Sequence, residues 1–360
     1  MKIAFAVDKL RPTGIVRVVR NIAIALVQTD DVEISIICTG RDETIEKNYI
    51  PENIRVYDLD ILRYGRRKKY LKYVGALRTL FCRYTPDVLV VSGMEHVPFY
   101  DMASRNLTET KRIAWEHRNF SAGPRFRLEW IGKRMALKRW NGVLCITKKD
   151  YAQYRNYHGS DRGLYQIYNL TDFSCARKPY REESARIMSC GYLSPIKGYD
   201  FLLTAAETVF RKNPAWTWDI YGRGALQAEL EQEIKTRGLE KNVRLMGYEP
   251  NVQELYGEYS FFVLTSRAEG MGMVLIEAQK AGLPVVSFDI PCGPSDVIAD
   301  GENGWLIPAF DTDKMAEKIL ELMEDPGMRR AFSERSEIHH AEFEKDVILA
   351  KWKEMLGLPG

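Results

Sequence analysis

The sequence lacks the features that would place the chain in a membrane or around a metal ion. No uninterrupted apolar run in its 360 residues approaches roughly 18 residues, the length that a membrane-spanning helix needs. Residues 1–8 hold a short apolar stretch that soon reaches an acid, which predicts a first strand and not a signal peptide. No aspartate-rich metal motif is evident either, so we expect a reaction that needs no metal or other cofactor.

The six cysteines have no paired spacing of the kind that indicates a disulfide framework or a zinc site. They are scattered along the chain, at Cys38, Cys82, Cys145, Cys175, Cys190 and Cys292. Several of them lie in predicted strands or at strand ends, and we interpret them as buried thiols in a reducing compartment. The sequence therefore predicts a cytoplasmic protein.

Length and charge together indicate two unlike domains. A typical domain has about 150 residues, so 360 residues predict two of them, and an apolar content of 45% is sufficient for their cores. Residues 1–175 hold 30 Lys+Arg against 19 Asp+Glu, a net charge of +11, whereas the remainder holds 22 against 30, or −8; the two add to the overall +3. A basic half joined to an acidic half indicates that the basic half meets an anionic partner.

A glycine-containing turn between a predicted strand and a predicted helix is the main site signal of the sequence. The apolar run at 261–265 predicts a buried parallel strand, and residues 274–281 predict a short helix that Gly282 stops. Glycines between the two let the backbone turn sharply and approach a ligand, and the amides at the helix start suit a phosphate. The candidate phosphate-binding residues of this turn are Gly270, Met271, Gly272, Met273 and Val274.

Two acids approach the same turn from opposite sides. Glu269 lies on the loop side, and Glu277 lies in the predicted first turn of the helix, where side chains lean toward the N-terminus. Carboxylates accept hydrogen bonds from vicinal hydroxyls and amides donate them to phosphates, and a nucleotide-sugar has both groups. Ser266-x-x-Glu269 also fits a capping box, in which a helix would begin at Ser266, but two glycines directly after it argue against that helix.

These motifs resemble the signature of the retaining family-four glycosyltransferases of GT-B architecture. The residues that carry the resemblance are Glu269, Glu277, Gly282-Leu-Pro-Val-Val286 and Asp300-Gly-Glu-Asn-Gly-Trp-Leu306. It covers most of the chain and is strong over about 191–308. Residues 291–296 are similar to members that use UDP-linked sugars, often N-acetylhexosamines, in surface polysaccharide or lipid-linked oligosaccharide assembly.

The resemblance implies an α/β fold of two facing Rossmann-like domains with an interdomain cleft. The N-terminal domain, 1–175, would bind the acceptor, and the C-terminal domain, 176–345, would bind the nucleotide-sugar. A last helix, within 346–360, is expected to cross back to the first domain. The alternation of strands and helices in the second half by itself predicts a parallel sheet with helices on both faces.

Three further loops of the second half carry candidate donor-binding residues. Lys197, beside Gly198 in a strand-to-helix loop, can meet a diphosphate as a point charge. The family usually has an arginine where this chain has Tyr192, and Arg223 is our candidate for supplying that charge. By resemblance, the segment Gly247-Tyr248-Glu249 holds the nucleotide base.

The first half offers a loop glycine and two histidines. Gly14 ends the first predicted strand-to-helix loop and is a candidate phosphate-loop residue, although such turns often need a glycine for steric reasons alone. His96 and His117 follow predicted strands, at the edge where parallel sheets bind ligands. His117 matches the family histidine that reaches the transferred sugar, whereas a residue like His96 is more often a loop histidine without a role.

A basic segment, 63–83, gives the first half an unusual surface. Its bases are Arg63, Arg66, Arg67, Lys68, Lys69, Lys72, Arg78 and Arg83. A basic amphipathic helix can lie on an anionic membrane, and such a helix can equally pack on the sheet with its basic face in solvent. Because one helix can do both along its length, we expect a peripheral protein on the inner face of the cell membrane.

The resemblance implies retaining transfer of a hexose or N-acetylhexosamine from a nucleotide diphosphate sugar, with UDP as the expected nucleotide. The expected acceptor is a glycan or a polyprenyl-diphosphate-linked glycan of lipopolysaccharide or capsule, and no nucleic-acid partner is expected. The expected catalytic residues are Glu269, His117 and Lys197, with Glu269 on sugar hydroxyls and Glu277 on the ribose. Three alternatives stay open: a nucleotide-sugar epimerase of the same architecture, a sugar phosphorylase, and a catalytically silent protein that binds membrane or partners.

Overall fold

The computed structural model describes residues 1–11, 13–28, 32–43, 45, 49–62, 66–120, 127–171, 181 and 183–359, with the backbone alone at 66–69 and 337–339. These residues form two compact units. Unit 1 comprises Met1–Leu170 and Lys345–Gly360, and unit 2 comprises Thr171–Glu344. The domain boundary predicted at 175/176 lies outside the described residues, as does Cys175.

Unit 1 is built on a seven-stranded sheet in which all neighbouring strands are parallel. The strands of unit 1 are β1 (Lys2–Ala6), β2 (Lys9–Leu10), β3 (Glu33–Cys38), β4 (Gly40–Arg41), β5 (Arg55–Asp58), β6 (Val88–Ser92), β7 (Lys111–Trp115), β8 (Gly142–Cys145) and β9 (Leu164–Gln166). Their order across the sheet is β5-β3-β1-β6-β7-β8-β9, and β2 and β4 form a separate pair. The central strands are nearly continuous apolar runs because helices cover both faces of a parallel sheet.

Five helices of unit 1 connect its strands. They are α1 (Gly14–Val27), α2 (Arg66–Phe81), α3 (Val97–Ala103), α4 (Arg127–Arg139) and α5 (Lys148–His158). The Thr147 hydroxyl accepts a hydrogen bond from the Asp150 amide at 3.0 Å and so caps the start of α5. Leu77 and Phe81 of α2 are buried against the core of unit 1, as their helical spacing predicts.

Unit 2 is a second α/β unit with a six-stranded parallel sheet. Its strands are β10 (Arg186–Cys190), β11 (Thr217–Tyr221), β12 (Val243–Gly247), β13 (Phe261–Leu264), β14 (Val285–Asp289) and β15 (Gly304–Pro308). Its helices are α6 (Tyr199–Lys212), α7 (Gln227–Thr236), α8 (Met273–Lys280), α9 (Pro294–Val297), α10 (Thr312–Glu324) and α11 (Pro326–His339). The strand order is β12-β11-β10-β13-β14-β15, and the predicted α/β class is confirmed.

The last helix, α12 (Lys345–Leu356), packs on unit 1. Its Trp352 ring lies 4.8 Å from the Trp115 ring and 5.9 Å from the Phe5 ring, measured between centroids. The Lys111 ammonium, at the start of β7, donates a hydrogen bond to the Met355 carbonyl oxygen. The carboxyl end of the chain therefore completes the core beneath β1 and β7.

α11 ends at His339 and is followed by a 3₁₀ turn, Ala341–Phe343. The expectation that the cysteines are buried is wrong at one position. Cys82 is exposed because it lies in the turn just after α2, and among the described cysteines none is in a disulfide. Within the described residues, no helix combines the length and the apolar character needed to cross a bilayer.

Candidate functional site

The predicted glycine turn exists and carries the start of α8. Gly272 is the N-cap residue and has a φ of +74°, a left-handed conformation that glycine adopts without strain. The helix begins at Met273, so the alternative capping-box helix at Ser266 is wrong. The Leu275 amide donates to the Gly272 carbonyl at 2.8 Å. The first amides of a helix have no carbonyl one full turn before them, and a helix N-terminus therefore suits an anion.

A short ion pair lies next to this turn. The Lys197 ammonium is 2.6 Å from Oε1 of Glu269, and the Ser266 hydroxyl donates to the same oxygen at 2.6 Å. Both charged side chains are largely buried, with 20% and 11% exposed. Lys197 and Glu269 are thus held together on two loops at the carboxyl edge of the sheet, where one ligand could contact both.

The two loops that hold this ion pair are joined by their backbones. The Arg267 amide donates to the Ile196 carbonyl at 2.8 Å, and the Thr265 hydroxyl donates to the Lys197 carbonyl at 3.1 Å. Gly198 has a φ of +64°, and a Cβ there would lie 2.1 Å from the Thr265 carbonyl oxygen. Only glycine permits this close approach, which fixes the distance between Lys197 and the loop of Glu269.

Glu277 has different partners from Glu269. It lies in the second turn of α8, one turn later than predicted, and only 2% of the residue is exposed. The Tyr256 hydroxyl donates to Oε2 of Glu277 at 3.4 Å, and Tyr256 lies in the segment between β12 and β13. Glu277 is therefore held by the segment that connects β12 to β13.

Arg223 and the 247–249 segment meet at the end of the sheet that carries β12. The guanidinium carbon of Arg223 lies 4.7 Å from the centroid of the Tyr248 ring. Gly247 has a φ of +79° at the end of β12, and Oε1 of Glu249 accepts a hydrogen bond from the Asn251 amide at 2.9 Å. The structure thus brings Arg223 to Tyr248, a contact that the sequence did not predict.

The candidates of unit 1 differ in their surroundings. His117 is buried against the Trp115 ring, its Nε2 has no hydrogen-bond partner among the described residues, and burial lowers its pKa to about 3, so its imidazole is neutral. His96 instead shares a hydrogen bond with the Tyr73 hydroxyl at 3.2 Å. Gly14 begins α1, and a Cβ there would meet nothing within 4 Å, so no steric clash requires glycine at this position.

A buried charge network behind His117 was missed by the sequence analysis. The Lys133 ammonium lies 3.4 Å from Oε2 of Glu116 and 3.7 Å from Oε1 of Glu129, and all three residues are at most 2% exposed. Arg118 contacts Glu129 at 2.9 Å, and the Tyr154 hydroxyl donates to Glu116 at 2.6 Å. Burial raises the pKa of Glu116, and the charge of Lys133 opposes that rise. Glu129 and Lys133 are four residues apart in one helix, and this i,i+4 spacing is the sequence signal that could have revealed their ion pair.

Family models match both halves of the chain. Residues 12–174 match Glycosyltransferase Family 4, and residues 173–339 match Glycosyl transferases group 1. An uncharacterized glycosyltransferase of Haemophilus influenzae is 26% identical over 95% of this chain and 96% of its own length. A Staphylococcus aureus poly(ribitol-phosphate) alpha-N-acetylglucosaminyltransferase is 33% identical over 59% of this chain, which spans only 43% of that relative.

Solved structures share the fold at low sequence identity. Staphylococcus aureus TarM, in a complex that contains UDP, superposes with a TM-score of 0.83 at 18% identity over 99% of both chains. The lipopolysaccharide outer core galactosyltransferase WaaB gives a TM-score of 0.81 at 17% identity, again over 99% of both chains. Anabaena HepE in complex with UDP also gives 0.81, at 20% identity over 99% of this chain and 100% of that one.

Proposed function

Because this chain belongs to the family-four glycosyltransferases of GT-B architecture, we propose that it transfers a hexose or an N-acetylhexosamine from a UDP-linked donor, with retention, to a glycan of a surface polysaccharide or of a lipid-linked precursor. The observation that carries this proposal is the pairing of Lys197 with Glu269 beside the N-terminus of α8. A cation and backbone amides can bind the diphosphate of a nucleotide-sugar, and a carboxylate can bind the hydroxyls of its sugar.

Transfer of the sugar requires that the negative charge of the leaving diphosphate be stabilised. The bond between the anomeric carbon and the diphosphate oxygen breaks, and negative charge develops on that oxygen. Lys197 and the amides at 270–274 are proposed to bind this charge. Because fixed cations and a helix start can take the place of Mg²⁺ here, we propose a metal-independent reaction.

Glu269 is proposed to bind hydroxyls of the transferred sugar. Glu269 is paired with Lys197, and a diphosphate that binds Lys197 would leave the carboxylate to the sugar. Glu277, fixed by Tyr256, is proposed to bind the ribose. The neutral His117 can exchange hydrogen bonds with a sugar hydroxyl without adding charge. The acceptor hydroxyl then attacks on the face from which the diphosphate leaves, and its proton passes to the leaving phosphate oxygen.

Donor binding should stabilise the protein selectively and without metal. In EDTA, UDP or a UDP-sugar at about 100 times its dissociation constant should add about 2.7 kcal/mol to the free energy of unfolding, whereas GDP and ADP should add little. Thermal unfolding with each nucleotide measures this. Equal shifts with all three nucleotides would contradict the UDP preference, and no shift with any would favour a catalytically silent homologue.

We further propose that unit 1 binds an anionic membrane through the basic segment 63–83. Residues 63–65 and the side chains of 66–69 lie outside the described residues, but the next turn of α2 exposes Tyr70 to 53% and Leu71 to 80%. Exposed apolar side chains beside a run of bases are the combination that an interfacial helix requires.

Charge reversal should separate this surface from general attraction to lipid. Replacing Arg66, Arg67, Lys68 and Lys69 by glutamate should abolish cosedimentation with phosphatidylglycerol vesicles, because each base near such a surface contributes about 1 kcal/mol. The matched control reverses the charge of four exposed bases of unit 2, at Arg211, Lys212, Lys235 and Lys241. Equal losses in the two variants, or none in the first, would refute the assignment to 63–83.

A further inference from the structure

The side chain of Arg267 connects the two loops that carry Lys197 and Glu269. Arg267 precedes Glu269 by two residues, and its guanidinium binds the carboxylate of Asp200, three residues after Lys197. The two hydrogen bonds are parallel, from Nη1 to Oδ1 at 2.7 Å and from Nη2 to Oδ2 at 2.6 Å. We propose that Arg267 is a positioning residue that sets the separation of Lys197 and Glu269, an inference that rests on the proposed function.

The guanidinium also contacts residues on both sides of Lys197. Its Nη1 donates to the Pro195 carbonyl at 3.0 Å, and its central carbon lies 4.2 Å from the centroid of the Phe201 ring. Pro195 precedes Lys197 by two residues, and Phe201 follows it by four. The backbone amide of Arg267 adds the hydrogen bond to the Ile196 carbonyl described above. The loop of Lys197 therefore cannot move past Arg267 without breaking at least one of these contacts.

The chemistry of an arginine suits this set of contacts. The planar guanidinium presents its N–H groups in a fixed fork, which fits a carboxylate with two hydrogen bonds and can lie on an aromatic ring, whereas a lysine ammonium is a point charge. The hydrogen bonds from Arg267 lower the pKa of Asp200, so its carboxylate is charged at neutral pH. A bidentate pair of this kind fixes an orientation as well as a distance.

The exposure of the ion pair between Arg267 and Asp200 argues against a role in stability alone. The two side chains are 37% and 55% exposed, and exposed ion pairs contribute little to the free energy of unfolding. The rate of a reaction is more sensitive, because a displacement of about 1 Å in the groups that position a substrate can lower it about 100-fold. We therefore expect the contacts of Arg267 to matter for the geometry of Lys197 and Glu269, and so for the rate.

Initial-rate kinetics with a UDP-sugar and a glycan acceptor test this role. Arg267→Met should lower kcat about 10- to 100-fold and change KM for the donor much less, because the groups that act on the donor are present but displaced. Arg267→Lys should recover little of the loss, since an ammonium cannot replace the fork. Asp200→Asn should lower kcat about tenfold and should add little to Arg267→Met, because both variants break the same contact.

Arg237→Met is the matched control, because Arg237 forms ion pairs of the same kind with Glu207 and Glu233, and it should keep the wild-type kcat. A wild-type kcat in Arg267→Met and Asp200→Asn, even with a lower Tm, would make the contact purely structural and overturn the inference. If Arg267→Met does not fold, the kcat of Asp200→Asn decides between the two. A wild-type protein that transfers no sugar from any UDP-sugar would instead overturn the proposed function, and this inference with it.

Discussion

Replacing Glu269 by glutamine should lower kcat for glycosyl transfer about 1,000-fold and change KM for the donor much less. The amide keeps the size of the side chain and can still accept the hydrogen bonds of Lys197 and Ser266, so the loop geometry should persist. It loses the negative charge that strengthens hydrogen bonds to sugar hydroxyls as positive charge develops at the anomeric carbon. Losses of 10²–10³ are typical for removing one such electrostatic contact, and we expect the upper end, about 1,000-fold.

Initial-rate kinetics with a UDP-sugar and a glycan acceptor measure this effect. Glu207→Gln provides the matched control, because Glu207 makes the same kind of contact, an ion pair with Arg237, on α6 away from the site. Glu207→Gln should retain full activity. If Glu269→Gln transfers sugar at nearly the wild-type rate, the role given to Glu269 is wrong.

Replacing Lys133 by methionine should lower the free energy of unfolding by about 3–5 kcal/mol, since it leaves Glu116 and Glu129 buried near each other without their shared cation. Methionine has a similar length, so packing against Phe120 and Tyr154 should largely survive. Urea unfolding measures the loss. Lys138→Met, on the exposed face of the same helix, is the control and should change little.

The loss should also depend on pH in a defined direction. Burial already holds the pKa of Glu116 above its value in the unfolded chain, and removal of Lys133 raises it further. The folded variant then binds a proton more tightly than the unfolded chain, so its stability falls as pH rises through the raised pKa. The loss of stability caused by Lys133→Met should therefore be smaller at mildly acidic pH than at mildly alkaline pH. This account would be contradicted if the loss of unfolding free energy in Lys133→Met did not depend on pH, or if it were as small as the loss in Lys138→Met.

The features that the sequence could predict are local ones. The turn at Gly272 was predictable because an apolar strand, two glycines and a short helix follow one another within a few residues. The cap at Thr147 is local in the same way, because its hydroxyl binds the amide three residues later. In each case the physical requirement, a left-handed residue or an oxygen facing free amides, is met by neighbours in the chain.

The features that the sequence could not predict depend on contacts between distant residues. Glu116, just after β7, lies beside Lys133 of α4, and no periodicity specifies which acid meets which base. The contact of Arg223 with Tyr248 depends on the order of β11 and β12 in the sheet. The sequence placed both residues at strand ends but carried no information about which loops are neighbours.

The packing of α12 on unit 1 also sets the order in which the protein can fold during synthesis. Residues 1–170 leave the ribosome first, but the surface of Trp115 and Phe5 that Trp352 covers stays uncovered until more than 170 further residues have followed. Unit 2, which is continuous from Thr171 to Glu344, is complete before α12 appears. Domains generally fold as units in the order of their synthesis. Unit 1 can therefore reach its final packing only after unit 2 has been synthesised. Until then its apolar surface around Phe5 and Trp115 is uncovered and can bind chaperones.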